Sequence, residues 1–415
     1  MDVNLEPLKA FKANSWFSKP LEVSLHKIVS EQFPLYLTLY DALSFSGPED
    51  IRNYYQSILD ILLYSNYSVT IRDSLWRAII ESESGYERIS NAKSYAAYLV
   101  ETYKTIHGFT TKSASKGVWG RFSKQYKRFG QNKFDTEISE VQKYIDECPT
   151  FALGDKNLRD LTFHHSIKDD SSISNLLAYL NGLKDFDFKK LGDNMVAFLD
   201  VHRVMRELAT DMLEKLSEDI EAKVRCPFLP LPFGIQSAYQ QLNMEVVNGL
   251  SQKVLSAVDN MLGHLGAGSP EVECQDYLLM VEADIISALL AYSRSQTDLE
   301  RRIHLSRNKV SINSALTRLY GYDESKCNDM LWCQVIRPAI DKRNVADDIE
   351  ADLNAFVQIR HFKPEVRNAL VHFQGDSVRD TLDIVYCLNP EMEIMAAWKF
   401  LVVLEETRTA MNESL

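Results

Sequence analysis

Turn formers are scarce in this chain: 16 Gly and 12 Pro in 415 residues leave few places where a helix would be broken. A fold of many short strands needs turns at close intervals, so that class is disfavoured from the outset. No apolar run approaches the roughly 18 to 20 residues of a membrane span, and the opening MDVNLEPLKAF lacks the charged-then-apolar layout of a secretory signal. A cytoplasmic protein with no membrane partner is expected. Six cysteines, at 148, 226, 274, 327, 333 and 387, form no CxxC and have no His at zinc-ligand spacing, so they read as reduced core residues. Also missing are a GxxxxGK phosphate loop, a GxGxxG after a strand, an HExxH and a GxSxG elbow. Nucleotide triphosphatase, dehydrogenase, zinc peptidase and α/β-hydrolase chemistries therefore lack their usual anchors. The 58 acidic residues include no paired ExxH set, and no cofactor or metal is expected.

What is present is the composition of a folded protein, 45% hydrophobic and 25% charged, long enough for two or three domains. A net charge of −12 argues against indiscriminate coating of nucleic acid, which rests on phosphate neutralisation. One segment departs from that average. Between Thr102 and Phe134 no residue is acidic, while Lys104, Lys112, Lys116, Arg121, Lys124, Lys127, Arg128 and Lys133 supply eight positive charges, so the rest of the chain carries −12 − 8 = −20. Phe109, Trp119, Phe122, Tyr126 and Phe129 alternate with these cations. Cations that follow a backbone, interleaved with rings on which bases stack, make a single-strand RNA surface with Lys112, Lys116, Arg121, Lys124, Lys127 and Arg128 as its contacts. The competing reading is a solvated helix whose rings belong to the core.

Elsewhere the apolar residues recur with helical period. Ile51, Tyr54, Tyr55, Ile58, Ile61 and Leu62 form one stripe within 49–66, and Met195, Phe198, Leu199, His202, Met205, Leu208, Met212 and Leu216 another within 192–216. Similar patterns fill 87–107, 135–148, 235–263, 271–297, 299–320, 345–361 and 391–411. The one alternating piece, Tyr67-Ser68-Val69-Thr70-Ile71, is too short to build a sheet, and an all-α protein is expected. Three prolines between Cys226 and Gly234 break any helix there, and 263–268 is a second break, after which Ser269-Pro270-Glu271 reads as an N-cap with Pro in the first turn. These breaks divide the chain into an N-terminal segment 1–45, a first helical domain 46–225, a linker and connector helix 226–268, and a second helical domain 269–415. Apolar positions in 1–45 without a clear period leave that segment to cap the first domain or to dock a partner.

The two long parts read as distant copies. Glu87-Arg88-Ile89 opens a helix that ends near Tyr103 and Gly108, and Glu300-Arg301-Arg302-Ile303 opens one that ends at Tyr320-Gly321. Each is followed by a polar stretch, another helix, an Arg five places before a His, and a long closing helix. The first such motif is Arg159-Asp160-Leu161-Thr162-Phe163-His164, and the second, 367 − 159 = 208 residues on, is Arg367-Asn368-Ala369-Leu370-Val371-His372. An imidazole titrating near neutrality moves protons, and a guanidinium that is always charged holds a phosphate. The pairing suits RNA cleavage without a metal. On an ideal helix positions four apart differ by about 40°, which sets Asn368 over His372 and Asp160 over His164 as orienting residues. A carboxylate beside His164 favours the charged ring and suits a general acid.

Arg367-Asn368 with His372 resembles the RNxxxH motif of the HEPN superfamily, helical domains that include many metal-independent ribonucleases of toxin, phage-defence and RNA-targeting CRISPR systems. The first copy departs from it by carrying Asp160 where Asn is commonest. The resemblance implies two tandem helical bundles whose motifs meet across a pseudo-twofold. It also implies that one His removes the ribose 2′-OH proton, the other protonates the leaving 5′-oxygen, and Arg159 and Arg367 stabilise the transition-state charge. Products would be a 2′,3′-cyclic phosphate and a 5′-OH end, with DNA uncut for want of the nucleophile. Such an enzyme implies an inhibitory or activating protein partner, and a homodimer is compatible with it. Two other classes stay open: a HEPN-like pair that binds RNA, nucleotide or protein without cutting, and an unrelated helical scaffold. His165 and Arg360-His361 are secondary candidates. Arg301, His304 and Arg307 share a face that either extends the RNA track or is a charged solvent face, and Glu87 and Glu300, at matched positions, either orient arginines from a neighbouring helix or form surface ion pairs.

Overall fold

The computed structural model describes residues 48–107, 117–130, 132–147, 173–182, 200–215, 268–321, 330–340, 345–359, 364–372 and 378–413, with single positions at 36, 39, 40, 162, 252, 255 and 258. Among them every regular element is a helix, as the shortage of turn formers implies, and none is long and apolar enough to cross a membrane. The segment 1–35, the Pro-rich stretch 226–234 and most of the connector 235–262 lie outside these residues. Of the connector, positions 252, 255 and 258 are helical, with Leu255 and Val258 buried.

Pro48 cannot continue a helix backward, and Glu49 and Asp50, which follow it, lie where a helix N-terminus favours negative charge. From there α1 runs unbroken over Glu49–Glu81, 33 residues. It passes straight through the alternating piece at 67–71, which is helical. Thr70 donates its hydroxyl to Asn66 O at 2.8 Å, and Tyr67, Val69 and Ile71 are all buried, so packing overrides the strand preference of the β-branched residues.

The chain turns at Ser82–Ser84 into α2, Gly85–His107, and continues with α3, Val118–Phe129, α4, Asp135–Glu147, α5, Ile173–Gly182, and a helix α6 at 200–215. After the middle of the chain comes α7, Pro270–Arg294, opened as expected with Ser269 at the N-cap and Pro270 in the first turn. Next are α8, Asp298–Leu319, a π-turn over Trp332–Ile336 that runs into α9, Arg337–Ile340, then α10, Ala346–Gln358, α11, Pro364–His372, α12, Val378–Cys387, and α13, Pro390–Asn412. The hairpins α1–α2 and α7–α8 cross-pack, α2 on α7 and α8 on α1. Around them α3 lies on α1, α5 on α7, α11 on α8 and α2, α12 on α11, α8 and α1, and α13 on α7 and α8. A single apolar cluster extends from Tyr40 to Met411.

The two hairpin corners are built with the same contacts 300 − 87 = 213 residues apart. Ser82 and Ser295 each donate a hydroxyl to an Ala four residues back, Ala78 O at 2.6 Å and Ala291 O at 2.8 Å. Ser84 and Thr297 accept the backbone N–H of Glu87 (3.0 Å) and Glu300 (3.3 Å), and each Glu reaches back to a backbone N–H before its helix, Glu83 at 2.9 Å and Gln296 at 2.7 Å. Arg88 and Arg301 donate to Ser82 O and Ser295 O, at 3.0 and 3.5 Å. Each corner thus satisfies N–H groups that a helix start leaves without partners.

The packing assigns the rings of the basic segment. Trp119, Phe122 and Tyr126 on α3 are buried, while Lys124, Lys127 and Arg128 face solvent. These three rings are core and not base-stacking platforms, a correction to the RNA-surface reading. Position 130, just after the helix, is held to Gly because a Cβ there would strike the Tyr126 ring, whose hydroxyl donates to Asp135 at 2.9 Å and accepts the Phe134 N–H at 2.7 Å. Phe122→Ala is expected to cost about 3 to 4 kcal/mol in urea unfolding, whereas Lys124→Ala and Lys127→Ala stay within about 0.5 kcal/mol of wild type. Equal costs for the three would place Phe122 at the surface.

Candidate functional site

Long helices buried on all sides normally carry apolar residues all round, yet α2 and α8 bury Glu87, Arg88, Ser90, Asn91, Lys93 and Glu101, and Glu300, His304, Arg307, Asn308 and Lys309. The polar groups face each other across the two halves. Asp284, on α7, accepts from Lys93 Nζ at 2.5 Å, from Ser90 Oγ at 2.6 Å and from the Tyr86 hydroxyl at 3.3 Å. Arg307 donates to Ser90 Oγ at 2.9 Å and to Asn91 Oδ1, and Ser74 Oγ lies 2.7 Å from His304 Nε2. Two cations and one carboxylate thus share a buried seam. Burial pushes the Lys93 ammonium down, against the pull of Asp284, and pushes Arg307 down to about 10 against the same carboxylate.

Two crossed ion pairs flank this seam. Arg77, near the end of α1, donates to Glu300 of α8 at 2.6 Å and to Asp73 at 2.6 Å. Arg294, at the end of α7, donates to Glu87 of α2 at 2.6 Å and to Glu81 O at 3.0 Å. Glu87 is fully buried and Glu300 nearly so, so neither pair is the surface bridge that one reading allowed. Both glutamates engage an arginine from a neighbouring helix, but these arginines are Arg77 and Arg294. His304 and Arg307, 2% and 4% exposed, likewise form no RNA track and no solvent face. Burial and the nearby Arg307 and Arg77 hold the His304 imidazole well below its usual range, so it is neutral. His202 on α6 is its counterpart in chemistry: its Nε2 lies 3.0 Å from Ser68 Oγ and 3.1 Å from Arg72 Nη2, and burial with Arg72 and Arg206 keeps it neutral.

One residue of the first Arg/His motif and the helix of the second lie beside the same two helices. Of the first, Thr162 is described: it is buried, its hydroxyl donates to Lys93 O on α2 at 3.4 Å, and with Lys93, Asp284 and Arg307 it lines the seam. Arg159, Asp160 and His164 lie outside the described residues, as do His165, Lys112, Lys116 and the pair Arg360-His361. The second motif forms α11, which packs on α8 and α2. Its Arg367 is half-buried and donates from Nη2 and Nε to Asn368 Oδ1 at 2.9 and 3.3 Å. Asn368 therefore engages the arginine beside it, where the helical wheel assigned it to His372. His372 is the last residue of α11, and its side chain is outside the described set.

On α3 the exposed cations have different engagements. Arg128 makes a two-bond pair with Asp50 at 3.0 and 2.9 Å and lies 5.0 Å over the Phe129 ring, in the open, where such a pair is worth about 0 to 1 kcal/mol and yields readily to a phosphate. Arg121 lies 3.6 Å from the buried Asp60. The seam residues Lys93, Asp284 and Asn91 were not among the sequence candidates, and Arg307 was one only as part of a surface face. The readable signal was Asp284 with Glu282 inside the otherwise apolar run 278–290, which no amphipathic helix would place there without partners.

The chain matches no family model, no curated protein and no solved structure.

Removing one member of a buried ion pair leaves its partner uncompensated. Asp284→Asn is expected to lower the unfolding free energy by about 3 to 5 kcal/mol by denaturant titration, and the double change Asp284→Asn with Lys93→Met to cost markedly less than the sum of the single changes. Additive losses would mean that the two groups do not share a desolvated contact.

Proposed function

We propose that this chain is a metal-independent endoribonuclease assembled from two tandem HEPN-like bundles related by a pseudo-twofold. What supports the reading most is that both motif segments rest on one pair of helices: Thr162 of the first against α2 and the α8 side of the seam, and α11 of the second against α8 and α2. A residue of the first motif and the helix of the second thus lie against the same two helices, which is compatible with a shared phosphodiester site. The duplication is supported by the matched corners, whose contacts repeat at one constant offset, and by the reciprocal pairs Arg77–Glu300 and Arg294–Glu87. Each pair joins an arginine of one half to the matched glutamate of the other, although the two arginines do not themselves stand at matched positions.

In this reading one histidine of His164 and His372 takes the 2′-OH proton and the other supplies a proton to the leaving 5′-oxygen, while Arg159 and Arg367 bind the non-bridging oxygens. Arg367, held by Asn368, has its guanidinium pre-oriented. Lys124, Lys127 and Arg128, with Arg121 and the Lys112 and Lys116 segment, hold the strand by its phosphates, the rings of α3 being committed to the core. Association with RNA should accordingly fall with salt and depend little on sequence.

The test is cleavage of single-stranded RNA in excess EDTA. Wild type should yield 2′,3′-cyclic phosphate ends. His372→Ala and His164→Ala should each lose at least about 100-fold in rate, the order of a general acid or base contribution, with RNA binding retained. Binding by wild type without cleavage would identify a non-catalytic RNA-binding protein, and neither binding nor cleavage would leave the helical-scaffold class.

A further inference from the structure

Arg121, the inner end of the α3 stripe, contacts a group that also touches the second half of the chain. Asp60, on α1 and 6% exposed, has its Oδ2 3.6 Å from Arg121 Nη2, and its Oδ1 accepts the Val378 N–H at 3.3 Å. Val378 is the first residue of α12, and α12 packs on α11, the helix of Arg367, Asn368 and His372. Asp60 therefore serves as a tertiary cap on one helix and as counter-charge to a cation on another. The two partners differ in access: the Arg121 side chain is 30% exposed and reachable by a phosphate, whereas the carboxyl is not.

We propose that Asp60 is a positioning residue that couples an RNA strand on α3 to the seating of α12 and α11. A strand phosphate recruits the Arg121 guanidinium. The buried carboxylate, deprived of its counter-charge, then takes one proton from solvent and stays in place as the neutral acid. Its carbonyl oxygen still accepts from Val378, but without the charge that a helix N-terminus favours, so α12 is held less firmly while RNA is bound. The inference rests on the RNA reading above.

The charged groups acting on Asp60 are Arg121 from α3 and Asp380 from α12. Burial raises the carboxyl most, Arg121 and the Val378 N–H lower it, Asp380 raises it, and the balance lies at about 7. Withdrawing Arg121 removes the largest opposing contribution and moves the group further up. Its affinity for protons is then higher in the RNA-bound state than in the free state. Linkage fixes the sign: binding takes up protons near neutrality and weakens as pH rises through 7 toward 8.

The experiment titrates the full chain with a fluorescent 2′-O-methyl oligonucleotide, which lacks the nucleophile, at pH 6.5 and pH 8.0, and counts protons calorimetrically in two buffers of different ionisation enthalpy. For wild type, Kd should rise about five- to tenfold from the lower to the higher pH, with net proton uptake on binding. Asp60→Asn should bind with a flat profile in that range and no matching uptake, and Arg121→Gln should bind more weakly and also lose the slope. Equal slopes in wild type and Asp60→Asn, or a slope retained in Arg121→Gln, would overturn the coupling while leaving RNA binding in place. Absence of binding by folded wild type would overturn the RNA reading and this inference with it.

Discussion

A charge buried in a protein must be matched within reach or it unfolds its surroundings, and here the matches are drawn from opposite ends of the chain. Lys93 is answered by Asp284, Glu87 by Arg294 and Glu300 by Arg77, contacts that span 191, 207 and 223 residues. Two of them also meet a counter-charge on their own hairpin, Arg77 at Asp73 and Asp284 at Arg307. The apolar cluster supplies the driving force for closure, but it is indifferent to register. The crossed pairs are what fix α2 against α7 and α8 against α1 at one setting.

That setting determines what surrounds the seam. Because α2 and α8 are enclosed by α1, α7, α11 and α13, their polar faces can hold an ionised cluster away from water. The α3 helix divides its faces by the same logic: rings inward against α1, lysines outward. An RNA strand lying there would be held by its phosphates alone, and its sequence would go unread on that helix.

The helical class was legible in residue counts, because 16 Gly and 12 Pro cannot punctuate a strand-rich fold of this length. Helix starts marked by Pro48-Glu49-Asp50, Ser269-Pro270-Glu271 and Thr297 with Glu300 were legible for local reasons, since caps are read from neighbours in sequence. What periodicity missed was α1 beyond residue 66, where polar Ser68, Thr70, Arg72 and Ser74 break the apolar stripe. They are buried by partners from other helices, among them His202 and His304. His304 and Arg307 were misassigned for the same reason. A charged face at helical spacing looks alike whether it meets water or a complementary face 200 residues away, and only the tertiary partner distinguishes them. The matched Glu87 and Glu300 were visible as a repeat, but the arginines they bind, Arg77 and Arg294, sit 290 − 77 = 213 and 294 − 81 = 213 places from Leu290 and Glu81 and so do not align with each other.

The crossed pairs also bear on how the molecule matures. While the chain is emerging from a ribosome, Glu87 and Lys93 exist long before Arg294 and Asp284 do, and a prematurely closed first hairpin would bury two charges with nothing to oppose them. Desolvating them is unfavourable until α7 has been synthesised, which sets closure of the polar seam against the first half alone. If cutting RNA is the protein's work, the cell is spared a half-made nuclease by the arithmetic of ion pairing alone.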